Sequence, residues 1–313
     1  MSNKISILII SNKFDFTTDY ICAELNARGE KYIRLNRDEF WNYDITLEVA
    51  RFALRIEIEG QKYYINESLK SVYYRAPTFL RDVFEVIDEK EQLYRSQWAS
   101  FIRNLAIYEN ALWINNPVFT YKAENKILQL KYAKCVGFNI PETIITNSND
   151  QSLDKNKNYV VKSIEPAVLK INQINAFTYT NVVRGADIYN SDLAISPIII
   201  QEYLNPKIDI RVSVIGNFIF AVKILKSGRG VDGDWRKYKT ELDFIPFELP
   251  ENISQKCIQI VNKLGLIFGA IDLILFNGKY YFIEINPTGE WAWLTKCFEN
   301  KIQKKICDYL QDK

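Results

Sequence analysis

The segment 271–287 constrains the fold of this chain more than any other part of the sequence. Two apolar runs rich in β-branched and aromatic residues flank Asn277-Gly278, a pair typical of the tight turn of a β-hairpin. Within these runs only Asp272, Glu284 and Asn286 are strongly polar. A carboxylate on a buried strand is costly unless a cation or a donor compensates it. The segment therefore predicts a buried hairpin that holds a cation.

Oxygen side chains without His or Cys are typical ligands of hard cations, and Mg²⁺ suits this set best. The register of the hairpin decides whether the three oxygens meet. A two-residue turn at Asn277-Gly278 would place Asp272 opposite Ile283 and on the other face from Glu284. We therefore expect a three-residue loop over 276–278, which brings all three polar side chains to one face. The alternative, an exposed hairpin edge, conflicts with the apolar character of both strands.

Composition excludes several classes of chemistry. The chain has no histidine, which removes Ser-His-Asp and Cys-His hydrolases, zinc-hydroxide enzymes and His phosphocarriers. Its five cysteines are scattered without a Cys-x-x-Cys pair, which argues against zinc. A net charge of +2 indicates neither a nucleic-acid partner nor a membrane surface. The short apolar run near the N-terminus is interpreted as a first strand, so we expect a cytoplasmic protein.

The pattern along the chain predicts three lobes of mixed α/β and α+β class. Residues 1–116 alternate strand and helix and are expected to form an N-terminal α/β domain that ends at a proline. Residues 117–200 are expected to form a central lobe that opens with a helix. Residues 201–313 are expected to form a β-rich lobe that contains the hairpin.

Two lysines are candidates for binding phosphate. Lys162 lies on a predicted strand, where a fixed ammonium is a good point charge for a nucleotide, and Lys126 lies at the N-terminus of a predicted helix. The alternative for a strand lysine is a side chain that simply faces water. The sequence lacks both Gly-x-x-x-x-Gly-Lys-Ser/Thr and Gly-x-Gly-x-x-Gly, which argues against P-loop and Rossmann nucleotide binding.

Two further segments follow in the order expected of a nucleotide site. The run Gln201-Glu202-Tyr203-Leu204 ends an apolar strand, and its backbone and Glu202 are candidates for binding adenine or ribose; a strand that ends in polar residues is the alternative. The next strand alternates strictly, so Asp209 and Arg211 share one face. Arg211 is a candidate to bind a transferring phosphoryl group bidentately, with Lys223 of the following strand as a second catalytic candidate.

Taken in order, these residues resemble the ATP-grasp superfamily from about residue 116 to the C-terminus. The resemblance implies that ATP lies between two α+β lobes and that Mg²⁺ is held by the hairpin. The implied ATP-binding residues are Lys126, Lys162, Gln201, Glu202, Tyr203, Leu204 and Asp209, and the implied metal ligands are Asp272, Glu284 and Asn286.

A closer resemblance is to the ATP-grasp peptide ligases of microviridin-type (graspetide) pathways. It rests on the runs 72–75, 125–130, 137–147, 234–236 and 286–291. It implies an ADP-forming ligase that activates Asp or Glu side chains of a ribosomal precursor peptide as acyl phosphates. Ser, Thr or Lys side chains then attack to form macrolactones or macrolactams. The resemblance also implies a leader-plus-core peptide partner and a homodimer. Ala76 departs from it, because a second Arg is expected after Arg75.

The loop 226–239 is expected to lie outside the nucleotide site and to recognise the leader peptide. Its Asp234, Trp235 and Arg236, together with Arg75, are the candidate peptide-binding residues, with Trp235 as the anchor. The alternative is a connector whose Trp packs back onto the body. Two other functions stay open: an amino-acid ligase of the glutamate ligase type, and a catalytically silent leader-binding module. The intact set of metal ligands argues against the silent module.

The metal ligands also give an expectation for stability. If the carboxylates repel one another in the absence of a cation, neutralising either one should leave the melting temperature level or raise it.

Overall fold

The computed structural model describes residues 3–75, 88–148, 152–164, 168–171, 174–177 and 180–311. Ala76 lies outside these residues. The N-terminal part alternates strand and helix as expected. Its elements are β1 (Asn3–Lys4), β2 (Ile7–Ser11), α1 (Phe16–Ala27), β3 (Tyr32–Asn36), β4 (Asp44–Glu48), β5 (Ala53–Ile58), β6 (Gln61–Ile65), β7 (Ser71–Tyr74), α2 (Glu89–Asn104) and β8 (Leu112–Ile114).

Two sheets organise this N-terminal lobe. The central one is parallel, with the strand order β3-β2-β7-β8, and all five residues of β2 are buried. Burial on both faces explains why β2 reads as a continuous apolar run rather than an alternating one. The second sheet has the order β1-β6-β5-β4 and covers one side of the same core.

The central lobe is built on an antiparallel sheet with the order β13-β10-β14-β9. The expected boundary at residue 200 falls inside β14, so Gln201 and Glu202 belong to this sheet. The elements are α3 (Pro117–Ala123), α4 (Lys126–Cys135), β9 (Thr143–Thr146), β10 (Asn158–Lys162), β11 (Val168–Ile171), β12 (Ile174–Phe177), β13 (Asn181–Arg184), α5 (Gly185–Tyr189) and β14 (Ile198–Glu202).

The C-terminal lobe is a five-stranded antiparallel sheet with a different core on each face. Helix α4 packs with α6 on one face, whereas α1 and α7 bury the other face against the N-terminal lobe. The order is β17-β16-β15-β18-β19. The elements are β15 (Ile208–Ile215), β16 (Phe218–Leu225), β17 (Asp243–Pro246), α6 (Glu251–Lys263), β18 (Phe268–Phe276), β19 (Lys279–Asn286) and α7 (Lys301–Gln311).

In the β18–β19 hairpin both carboxylates lie on one face, as expected, but the turn and the register that place them there differ from the expected ones. Phe276 pairs with Lys279, so the turn has two residues and the expected three-residue loop is wrong. Asn277 and Gly278 both have positive φ, 47° and 72°, as a type I′ turn requires. A β-bulge further along the hairpin shifts the register by one residue, because Leu273 pairs with Phe282 whereas Asp272 pairs with Glu284. Ile283 is the extra residue, and it places both carboxylates on one face.

The turn geometry can be tested at Asn277, an exposed residue. Asn277→Ala should lower the free energy of unfolding by about 1 kcal/mol, because Ala tolerates the left-handed conformation less well than Asn. Asn217→Ala is the matched control, since Asn217 is the exposed second residue of the β15–β16 turn and is not among the residues with positive φ. Equal unfolding free energies for both variants in urea would contradict the two-residue turn.

Candidate active site

A cleft that is open to solvent lies between the central sheet and the sheet of the C-terminal lobe. It brings together most of the residues that the sequence singled out on separate strands. These are Lys162 on β10, the run 201–204 at the end of β14, Asp209 on β15, Asp272 on β18 and Glu284 on β19. The wall is completed by Lys207 and by Gly233, Asp234, Trp235 and Arg236.

Three cations hold the cross-strand pair of carboxylates at the centre of this cleft. Arg211 Nη1 lies 2.9 Å from Asp272 Oδ1, and Lys126 Nζ lies 2.6 Å from Glu284 Oε2. Arg236 Nη2 lies 2.9 Å from Asp272 Oδ2 and 3.5 Å from Glu284 Oε1. Each of the four carboxylate oxygens therefore has a cationic nitrogen beside it.

Burial and the local charges shift the pKa values of two residues that line the cleft, Glu284 and Lys162. Burial alone would raise the pKa of Glu284, but Lys126, Lys162 and Arg236 hold it well below its usual range. Burial lowers the pKa of Lys162 to about 8, and the neighbouring cations Lys126 and Arg236 act in the same direction against the attraction of the carboxylates. Glu284 is therefore firmly ionised, whereas Lys162 can exchange its proton near neutral pH.

Lys207 is a cleft residue that the sequence analysis missed. Its ammonium contacts Asp209, and both side chains are largely buried. Burial raises the pKa of Asp209 to about 6, with Lys207 opposing the shift and Asp272 and Asp234 adding to it. The signal was present in the sequence, because the alternation that places Asp209 and Arg211 on one face continues backwards to Lys207.

The end of β14 forms one edge of the cleft. The backbone of Glu202 donates to Glu142 O at 2.8 Å, and Gln201 Nε2 donates to Thr143 Oγ1 at 2.9 Å. These bonds tie the strand end to β9 and to the residues just before it. The run 201–204 is thus held as one wall of the cleft.

Lys223 is not brought to this cleft. It pairs with Ile210, whereas Arg211 pairs with Val222, so Lys223 and Arg211 lie on opposite faces of the sheet. The Lys223 ammonium lies 3.9 Å from the centre of the Phe247 ring. The structure does not support a catalytic role for Lys223.

Arg75 is buried away from the cleft, with only 4% of its side chain exposed. It donates to Asp15 Oδ2 at 3.2 Å, to Glu290 Oε1 at 2.7 Å and to the carbonyl of Thr288 at 2.7 Å. These bonds fix the segment after β19 to the N-terminal lobe. The structure does not support peptide contact by Arg75 and instead gives it a positioning role.

Residues 233–236 of the loop 226–239 line the cleft beside the residues that we expect to bind nucleotide, rather than apart from them. Gly230 lies so close to the backbone of Lys207 that a Cβ on Gly230 would be 1.6 Å from Lys207 O. Tyr203 donates to Asp232, which ties the run 201–204 to this loop. Trp235 packs against Phe244 and Trp293, as the alternative interpretation held, while also lining the cleft.

The chemistry of the donor set fits Mg²⁺. Asp272 and Glu284 present carboxylates on one face, and Asn286 follows at the same face one pleat further along β19. The Oδ1 of Asn286 accepts from the Thr288 backbone at 3.0 Å. No group of three or more His, Cys, Asp or Glu able to hold a metal occurs among the described residues. The amide oxygen of Asn286 is of the type that hard cations also accept as a donor.

The comparisons with known proteins agree with this geometry. A profile of the RimK-like ATP-grasp domain matches residues 123–310, more than half of the chain, which therefore belongs to this family. The chain is 25% identical over 235 residues to the tetrahydromethanopterin:alpha-L-glutamate ligase of Methanocaldococcus jannaschii, covering 68% of this chain and 77% of that protein.

Two solved structures have similar folds. One is a RiPP-associated ATP-grasp ligase of Chryseobacterium gregarium in complex with ADP and a leader and core peptide, with a TM-score of 0.83, 27% identity and coverage of 99% and 97%. The other is the macrocyclase MdnC of Microcystis aeruginosa bound with the precursor peptide MdnA, with a TM-score of 0.81, 21% identity and coverage of 98% and 99%.

The family assignment confirms the expected ATP-grasp fold and the expected class of ADP-forming, ATP-dependent ligases. Within the described ranges, no helix is long and apolar enough to cross a membrane.

Because cations pair with the two carboxylates, we now expect their neutralisation to lower the stability of the protein rather than to leave it level or raise it. Asp272→Asn or Glu284→Gln leaves a largely buried cation without its partner, so the free energy of unfolding without nucleotide should fall by about 1–3 kcal/mol. Differential scanning fluorimetry is a suitable measurement. Glu241→Gln is the control, because the ion pair of Glu241 with Lys226 is exposed and its loss should cost under about 0.5 kcal/mol. A level or raised melting temperature would restore the repulsion interpretation.

The lowered pKa of Lys162 gives a pH dependence for nucleotide binding. Above about pH 8 Lys162 loses its proton, so phosphate binding must return that proton and affinity should weaken as pH rises. Calorimetry of ADP binding at pH 8.5, in two buffers with different ionisation enthalpies, should show proton uptake. Lys162→Arg should abolish this uptake because arginine stays charged. The same uptake in both proteins would assign the proton to another group.

Proposed function

We propose that the chain is a graspetide-type ligase that activates Asp or Glu side chains of a ribosomal precursor peptide with ATP and Mg²⁺. The observation that carries this proposal is the cleft in which the carboxylate pair Asp272 and Glu284 lies beside Arg211, Lys126 and Lys162. A carboxylate is a poor electrophile, and its conversion to an acyl phosphate requires neutralised phosphate charge and in-line alignment. The fold shared with peptide-bound ligases over 99% of this chain supports a peptide as the substrate.

The residues around the cleft bind different parts of the nucleotide and the metal. Lys126 and Lys162 bind phosphates, and the run 201–204 with Asp209 binds the nucleoside. Asp272, Glu284 and Asn286 hold Mg²⁺, which when bound neutralises phosphate charge and orients the phosphates.

Arg211 stabilises the phosphoryl group in transfer. Its Nη1 is held by Asp272 and its Nη2 by Glu290 O at 3.3 Å. Its buried Nε has no hydrogen-bond partner among the described residues, which leaves a donor for a ligand oxygen.

The peptide enters along the wall 233–236. Trp235 and Arg236 present an aromatic ring and a guanidinium beside the carboxylate pair, and Asp234 fixes the segment by accepting from the Arg236 backbone at 3.0 Å. This wall lies beside the reacting centre, so we assign it to the core of the precursor rather than to the leader. The nucleophile is a Ser or Thr hydroxyl or a Lys amine, and the enzyme acts as a homodimer, as the family resemblance implies.

The second candidate is a ligase that adds glutamate to an acceptor, as the name of the 25% identical Methanocaldococcus jannaschii relative states for that protein; the peptide-bound neighbours do not favour it. Such an enzyme consumes free glutamate. A cross-linking ligase instead removes one water from the peptide for each new bond.

The decisive assay incubates the purified chain with a precursor peptide, ATP and Mg²⁺ and follows peptide mass and ADP release. Loss of water from the peptide without added amino acids supports cross-linking, whereas a gain of glutamate mass supports the second candidate. Arg211→Lys should lower kcat by about 100-fold with little change in KM for ATP, because lysine cannot reproduce the bidentate contact. A changed KM alone would assign Arg211 to nucleotide positioning.

A further inference from the structure

Arg236 differs from the other cations of the carboxylate pair by touching both carboxylates at once. Its Nη2 lies 2.9 Å from Asp272 Oδ2 and 3.5 Å from Glu284 Oε1. Arg211 contacts only Asp272 of this pair, and Lys126 contacts only Glu284. The guanidinium therefore lies where one cation shared by both side chains would lie.

Arg236 is also the cation of this group best placed to move. Its side chain is 36% exposed, against 7% for Arg211 and 16% for Lys126. Arg211 is fixed on β15 and Lys126 at the start of α4, whereas Arg236 lies in a short 3-10 helix (Trp235–Glu241) between β16 and β17. Arg236 Nη1 also lies 3.4 Å from Asp234 Oδ1, and its guanidinium carbon lies 4.9 Å from the centre of the Trp235 ring. Arg236 therefore keeps two partners if it moves away from Asp272 and Glu284.

We propose that Arg236 makes the metal site selective for a divalent cation that arrives with nucleotide over a free one. A metal ion that binds Asp272 and Glu284 together must compete with the guanidinium for the same oxygens, and the two positive charges repel each other. A free ion supplies no new acceptor, so the displaced guanidinium would exchange two carboxylates for its remaining contacts with Asp234 and the Trp235 ring. A nucleotide brings phosphate oxygens that accept its N–H donors, so metal and nucleotide each strengthen the binding of the other.

This inference depends on the proposed function in one respect: it takes a nucleotide as the ligand that binds together with the metal. Its test is a measurement of Mn²⁺ binding to the full-length chain by electron paramagnetic resonance, with and without ADP. For the wild type, ADP should tighten Mn²⁺ binding strongly. Arg236→Gln should bind Mn²⁺ about tenfold more tightly than wild type without ADP, and the gain from ADP should shrink correspondingly.

Two further variants keep the result interpretable. Arg236→Lys retains the charge and should stay closer to wild type than Arg236→Gln does in its Mn²⁺ affinity without ADP. Arg229→Gln, an exposed arginine of the same loop, should behave as wild type. Equal Mn²⁺ affinity of wild type and Arg236→Gln without ADP, in proteins that both bind ADP, would overturn the inference. Failure of every variant to bind ADP would instead count against the proposed function.

Discussion

The architecture of the site depends on one unfavourable contact, a pair of carboxylates directly opposite each other on neighbouring strands. Asp272 and Glu284 are cross-strand partners because a bulge at Ile283 shifts the register between Leu273 and Asp272. Like charges in that position are destabilising on their own. The central and N-terminal lobes therefore contribute side chains that neutralise these two carboxylates or hold the neighbouring segments in place.

The compensating cations come from elements far apart in the chain. Lys126 reaches Glu284 because α4, although it belongs to the central lobe, packs on β19. There the Gln129 side chain accepts from the N–H of Ile285 at 3.1 Å and donates to its carbonyl at 2.8 Å. The N-terminal lobe acts through Arg75, which binds the segment 288–290 whose backbone in turn accepts from Arg211. The cleft is thus a joint product of all three lobes.

The sequence predicted the parts of this site that depend on local pattern. Isolated polar residues in apolar strands marked Asp272 and Glu284, and strict alternation placed Asp209 and Arg211 on one face. The sequence could not predict the bulge at Ile283, because a bulge follows from packing Phe282 and Ile285 on the same core. The face of Lys223 and the long-range pairing of Arg236 likewise depend on strand register and on how a loop closes, neither of which leaves a periodic signal.

The central claim is that the two carboxylates are the metal-binding groups of a nucleotide cleft and that their positions are set by the bulged hairpin. A crystal structure with Mn²⁺ and ADP, with the metal located by anomalous scattering, tests it directly. The account predicts manganese bonded to oxygens of both Asp272 and Glu284 and to the phosphates of ADP. Manganese bound to phosphate alone, with Asp272 and Glu284 still held by Arg236, would contradict it.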